Sequence, residues 1–145
     1  MEAGTAAMAE AGLITVPSRY SPKDTADRLQ ADLTGKGATI FARIDHAAGA
    51  ASVHMTLRPT ELPIFGNPRA GTPLMQANQT AGIDLPLKLL VWEDGNGRVW
   101  VSYNDPLWIS RRHQLGASSM TAAESMAHAL SQLVAAVTTG PPGKT

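Results

Sequence analysis

The chain has 145 residues, 43% of them apolar, enough for one domain that buries roughly 70% of the surface its unfolded chain exposes. It contains no cysteine, which excludes thiol nucleophiles, cysteine-based zinc sites, iron–sulfur ligation and disulfide staples. Twelve basic residues balance twelve acidic ones, so there is no overall positive field to draw nucleic acid or an anionic membrane, and neither is expected as a partner.

Met1 to Glu10 lacks the positive start and continuous apolar run of a secretory signal, and no apolar run approaches the length of a membrane helix. The chain is therefore expected to be cytoplasmic. Residues 1–12 and 139–145 read as flexible ends around a single α+β domain over 13–138, with the loosened tail beginning near Thr138.

Strands are expected at Gly12 to Pro17, Thr39 to Asp45, Ser52 to Arg58, Glu61 to Phe65, Lys88 to Glu93 and Val99 to Asn104. Between the first two, Ser21-Pro22-Lys23-Asp24 offers a cap and a proline at the first helical position. Ala26, Leu29 and Leu33 then recur at helical spacing until Gly35 and Gly37 end the helix. A short helix is expected from Thr72 to Ala81. A longer one opens with Thr121-Ala122-Ala123-Glu124, a capping-box pattern, and carries Met126, Leu130, Leu133, Val134 and Val137 on one stripe. The fold class is α+β, a two-layer sandwich of about five to six antiparallel strands with helices on one face, in the order β-α-β-β-β-α-β-β-α.

Alternation assigns the faces. Ile40, Ala42 and Ile44 would join Val53, Met55 and Leu57 in the core of a first hairpin turning at Ala47 to Ala51. Arg43 would then face His54, with Asp45 diagonal to it at roughly 7 Å, on the side away from the helices. In the second hairpin, Leu87, Leu89 and Val91 match Val99, Val101 and Tyr103 as the core set. Trp92 and Trp100 become cross-strand neighbours on the outer face, where with Leu90 and Phe41 they form an apolar patch large enough to need a cover. A homodimer burying the outer faces is the simplest cover.

The strings Phe41-Ala42-Arg43-Ile44-Asp45-His46, Phe65-Gly66-Asn67-Pro68-Arg69-Ala70-Gly71-Thr72, Leu85-Pro86 with the strand Leu89 to Val91, and Tyr103-Asn104-Asp105-Pro106 occur together. Over about Thr15 to Leu115 the chain resembles the domain-of-unknown-function 302 family. The resemblance implies a small two-layer α+β domain with helices on one side of an antiparallel sheet, associating as a dimer. It transfers no catalytic residue set.

Three function classes follow. A noncatalytic homodimeric module would take a small apolar or aromatic ligand at the outer face or dimer seam, with Phe41, Trp92, Trp100 and Tyr103 as lining. Asn67 and Arg69 add a small-residue loop able to hold an anion, although Asn67 also suits a local cap. An enzyme would use His54 or His46 as general base with Asp45 and Arg43 orienting it. A structural partner-binding subunit would use neither. His46, His54, His113 and His128 fall at no metal-ligand spacing, so no metal and no cofactor is expected. The first class is the reading favoured by the outer-face aromatics.

Overall fold

The computed structural model describes residues 11–141. They fold as an α+β two-layer sandwich, with six strands in one antiparallel sheet and five α-helices. The strands are β1 (Leu13–Ser18), β2 (Thr39–Asp45), β3 (Thr60–Gly66), β4 (Leu87–Lys88), β5 (Leu90–Glu93) and β6 (Val99–Asn104). The helices are α1 (Pro22–Gly35), α2 (His46–Ser52), α3 (Pro68–Ala77), α4 (Pro106–Arg112) and α5 (Met120–Thr139). The sheet order is β1-β6-β5-β3-β2, with the two-residue β4 also paired to β3.

Helix α1 forms as its sequence dictates. Ser21 Oγ accepts the Asp24 amide at 3.0 Å, Pro22 takes the first turn, and Gly37 leaves the helix end at φ +77°. Ala26, Leu29 and Leu33 are buried against Leu130, Leu133, Val134 and Val137 of α5 and the inner residues Leu89, Val91, Val99, Val101 and Tyr103. Removing that apolar area from water is the largest favourable contribution to the fold. Helices α1, α3 and α4 all pack on α5.

The first hairpin differs from expectation. Ala47 to Ala51 is no turn: alanine is the best helix former, and Asp45 caps the segment by accepting the Ala48 amide at 2.9 Å, so residues 46–52 form α2. The expected strand Ser52 to Arg58 is absent. Val53, Met55 and Leu57 are 62%, 66% and 47% exposed, and His54 sits at φ +62°. The partner of β2 is β3, paired as Arg43 to Pro63 and Ile44 to Leu62. An irregularity between Ile40 and Ala42 then changes the faces. Ile40 stays with the core, Ala42 and Ile44 turn to the outer face, and Arg43 turns toward α1, where it meets Asp27 and Gln30.

Other boundaries move for identifiable reasons. Asn67-Pro68 starts α3 ahead of the expected Thr72-Pro73, and the helix runs through Pro73 before a 3₁₀ turn at Gln79–Ile83. A 3₁₀ turn at Ala117–Ser119 leads straight into α5 at Met120, so Thr121 and Glu124 lie inside the helix and cap nothing. Helix α4 was not anticipated, although Asp105-Pro106 is a cap followed by a first-turn proline.

Most of the two flexible ends expected from the sequence lies outside the described residues. Their described parts are held. Gly12 accepts the Asp105 amide at 2.8 Å, Thr138 is buried in α5, and the Gly140 carbonyl accepts from Tyr20 Oη and Arg28. Gly12 has φ +90°, and an added Cβ would lie 2.4 Å from the Trp108 ring, so only glycine fits this contact between β1 and α4.

Candidate functional site

The end of β3 builds a cleft. Asn67 caps α3 by accepting the Arg69 amide at 2.9 Å, which turns the chain sharply from strand to helix. Pro86 and Phe41 lie over the strand end at Gly66, where an added Cβ would be in ordinary contact with both, 3.4 and 3.5 Å away. Two adjoining cavities of about 440 and 210 Å³ flank α3. They share Gly66, Asn67, Ala70, Leu87 and Met126 as walls. The larger runs between α3, α5 and the end of α1; the smaller lies under Phe41, Met75 and the Leu85–Pro86 peptide, which is cis. The lining is apolar apart from Lys36, Asn67, Arg69 and Ser125, and no carboxylate lines either cavity.

Three of the six residues expected to bind a ligand line these cavities: Phe41 the smaller, Arg69 the larger and Asn67 both. The other three do not. Trp92 and Trp100 are paired across β5 and β6 as expected, with ring centroids 6.2 Å apart, but their polar groups are satisfied within the chain. Trp92 Nε1 donates to Ser102 Oγ and Trp100 Nε1 to Asp94 Oδ2, each at 2.9 Å, and Arg98 lies over the Trp100 ring. Trp100 is only 7% exposed, so the expected aromatic patch is smaller than its sequence suggests, and Phe41 stands apart from it at the β2 irregularity. Tyr103 faces the helix-side core at 6% exposure, where burial pushes its phenol above the ordinary value.

The cluster of Arg43, Asp45 and His54 does not assemble, because the hairpin register that joined them is replaced by β2–β3 pairing. Arg43 instead donates to both Glu61 carboxylate oxygens, at 2.6 and 3.0 Å, and to Asp27 at 3.0 Å. The Glu61 hydrogen bond is the main reason its pKa is raised. Its charge is matched twice over, which leaves little to hold an anion. Arg43 and Asp45 line a polar recess beside α1 that neither His46 nor His54 lines. Both histidines are exposed on or beside α2.

One constellation escaped the sequence. His113, 7% exposed, contacts Asp84 Oδ2 through Nε2 at 2.5 Å and Thr80 Oγ1 through Nδ1 at 2.9 Å. Arg112 Nη1 donates to both Asp84 oxygens at 3.0 Å, and Asn78 Nδ2 donates to the His113 carbonyl at 2.8 Å. The hydroxyl–imidazole–carboxylate order resembles a nucleophile relay. Neither apolar cleft is lined by Thr80, Asp84 or His113, however, and every polar group fastens the 3₁₀ turn to the end of α4. We read it as a structural staple. The residues carry no motif spacing; the local cue is that the helix opened by Asp105-Pro106 ends in Arg112 and His113.

The β5–β6 turn gives a pH-dependent prediction. Asp94 accepts from the Trp100 indole and from the Asn96 and Arg98 amides, at 2.8–3.0 Å. These donors, Trp100 first, hold its pKa below the ordinary 3.8. A carboxylate depressed on folding stabilises the native state above its unfolded pKa, and that contribution is lost as pH falls further. Tryptophan emission should shift below roughly pH 4 while the helices persist, and Asp94→Asn should remove the shift.

Among known proteins, the model of the family described as Domain of unknown function DUF302 matches residues 14–133. The fluoride-specific ion channels FluC 1 of Brucella suis and FluC 2 of Brucella melitensis are 49% identical to the chain over 121 residues. The match takes in 83% of this chain but 48% and 45% of theirs, so the chain spans about half the length of the curated relatives it matches. The crystal structure of an uncharacterized conserved DUF302 protein from Bacillus stearothermophilus matches with a TM-score of 0.72, over 88% of this chain and 95% of that one, at 18% identity. That likeness is one of fold. Among the described residues, no helix is long and apolar enough to cross a membrane.

Proposed function

The chain belongs to the DUF302 family, and on that premise we propose that it is a noncatalytic homodimeric module binding a small apolar ligand in the cleft beside α3. The observation that carries this reading is the apolar wall shared by the two cavities, with Phe41 lining the smaller, Arg69 the larger and Asn67 both. A half-open apolar cleft with a few polar groups at its rim suits a small organic ligand. The proposed site thus moves from the outer face to the helix side of the sheet end. The dimer rests on the outer face, where Ile44 is 40% exposed beside half-buried Leu62, Ile64 and Leu90, while α1, α3, α4 and α5 gather on the other side.

Ala70 is exposed, lines both cavities and sits on α3, so a large side chain there should fill the cleft without disturbing the core. The wild-type protein should enhance the emission of Nile red, an uncharged probe of apolar sites. Ala70→Trp should abolish the enhancement with its circular dichroism unchanged. Equal enhancement in both proteins would remove the cleft as the site.

The Brucella relatives favour a second reading, a partner-binding module of a membrane protein. The half of those chains that matches this one corresponds to a domain with no membrane-crossing helix among its described residues, so a channel would lie in their other half. Co-expression with a fluoride channel from the same source, followed by fractionation, tests it: the module should travel with the membrane only when the channel is present. A general-base enzyme has less support, since Arg43 and Asp45 share a recess with neither His46 nor His54.

A further inference from the structure

We propose that the ligand of the α3 cleft is an acid with an apolar tail, its carboxylate held at the rim by Arg69. This rests on the cleft being a ligand site. The chain as a whole is electrically balanced, yet the cleft is not: Arg69 and Lys36 line it, and no aspartate or glutamate does. Lys36 is partly engaged, 2.8 Å from Asp32 one turn back on α1.

The Arg69 side chain makes no hydrogen bond or ion pair with any described residue. Arg111 likewise makes none among the described residues but lines neither cavity, whereas three other guanidinium groups are committed to internal partners. Arg28 donates to the Val137 and Ala136 carbonyls, Arg43 to Glu61, and Arg112 to Asp84. An uncommitted guanidinium beside an apolar cavity offers two parallel N–H donors to a carboxylate whose tail enters the cavity. Asn67 and Ser125 supply the remaining polar groups of the wall. Charge selects the head group, and cavity shape limits the tail.

The test compares three molecules with the same tail and different heads: decanoate, 1-decanol and decyltrimethylammonium, each displacing Nile red from the wild-type protein. Decanoate should bind at least about tenfold more tightly than decanol, a difference of about 1.4 kcal/mol, and the ammonium compound most weakly. Arg69→Ala should erase the advantage of decanoate while leaving decanol unchanged, and Arg69→Lys should restore part of it. Equal binding of decanoate and decanol, with Ala70→Trp blocking both, would overturn the acid and leave the cleft standing. Displacement by none of the three would overturn both.

Discussion

Replacing Asp84 by alanine is expected to lower the unfolding free energy by about 1–3 kcal/mol, the usual result of leaving a buried hydrogen-bonding partner unsatisfied. Asp84 is 9% exposed and takes contacts from His113 and Arg112 together. Without it His113 keeps its place at 7% exposure but loses its partner on Nε2, and the turn at Gln79–Ile83 loses its tie to α4. Since a domain of this size holds only about 5–15 kcal/mol in all, urea unfolding should show a clear drop in midpoint. Thr80 is exposed, and Thr80→Val should cost no more than about 1 kcal/mol, as for one hydrogen bond. A small effect of Asp84→Ala would show that the network is not the staple described above.

Leu62→Glu should convert the proposed dimer to a monomer. Leu62 stands on the outer face opposite Ile44, and continuing the pairing of Glu61 with Val91 by one residue brings it level with Leu90. A carboxylate there would have to be desolvated between two copies, and the cost should raise the dimer dissociation constant at least about a hundredfold. Sedimentation velocity over a range of concentrations reads this directly. The single chain should keep its fold, because the position is only half-buried. Nile red binding should persist in the monomer, since the cleft lies on the other side of the sheet. An unchanged dimer would place the contact elsewhere.

The helices α1 and α5, the strands β1, β3 and β6 and the Trp92–Trp100 pairing were legible because each rests on local periodicity and capping chemistry. The 52–58 segment misled because Val53, Met55 and Leu57 alternate as a strand does, whereas the Ala-rich stretch before them had already closed a helix behind the Asp45 cap. A single irregularity near Phe41 then exchanged the faces of Arg43 and Ile44, which no alternation pattern can anticipate. The cleft was half legible. Phe41, Asn67 and Arg69 stood out from turn chemistry and composition. The α5 wall with Met126 becomes visible only when α3 packs on that helix. The Thr80–His113–Asp84 staple joins residues 29 and 33 positions apart through tertiary contacts alone.

A native mass spectrum of the protein purified from its own source, with no ligand added, tests the central claim most directly. The account predicts a dimer carrying a discrete extra mass on each chain, lost in the Ala70→Trp variant prepared in the same way. A bare monomer would contradict it.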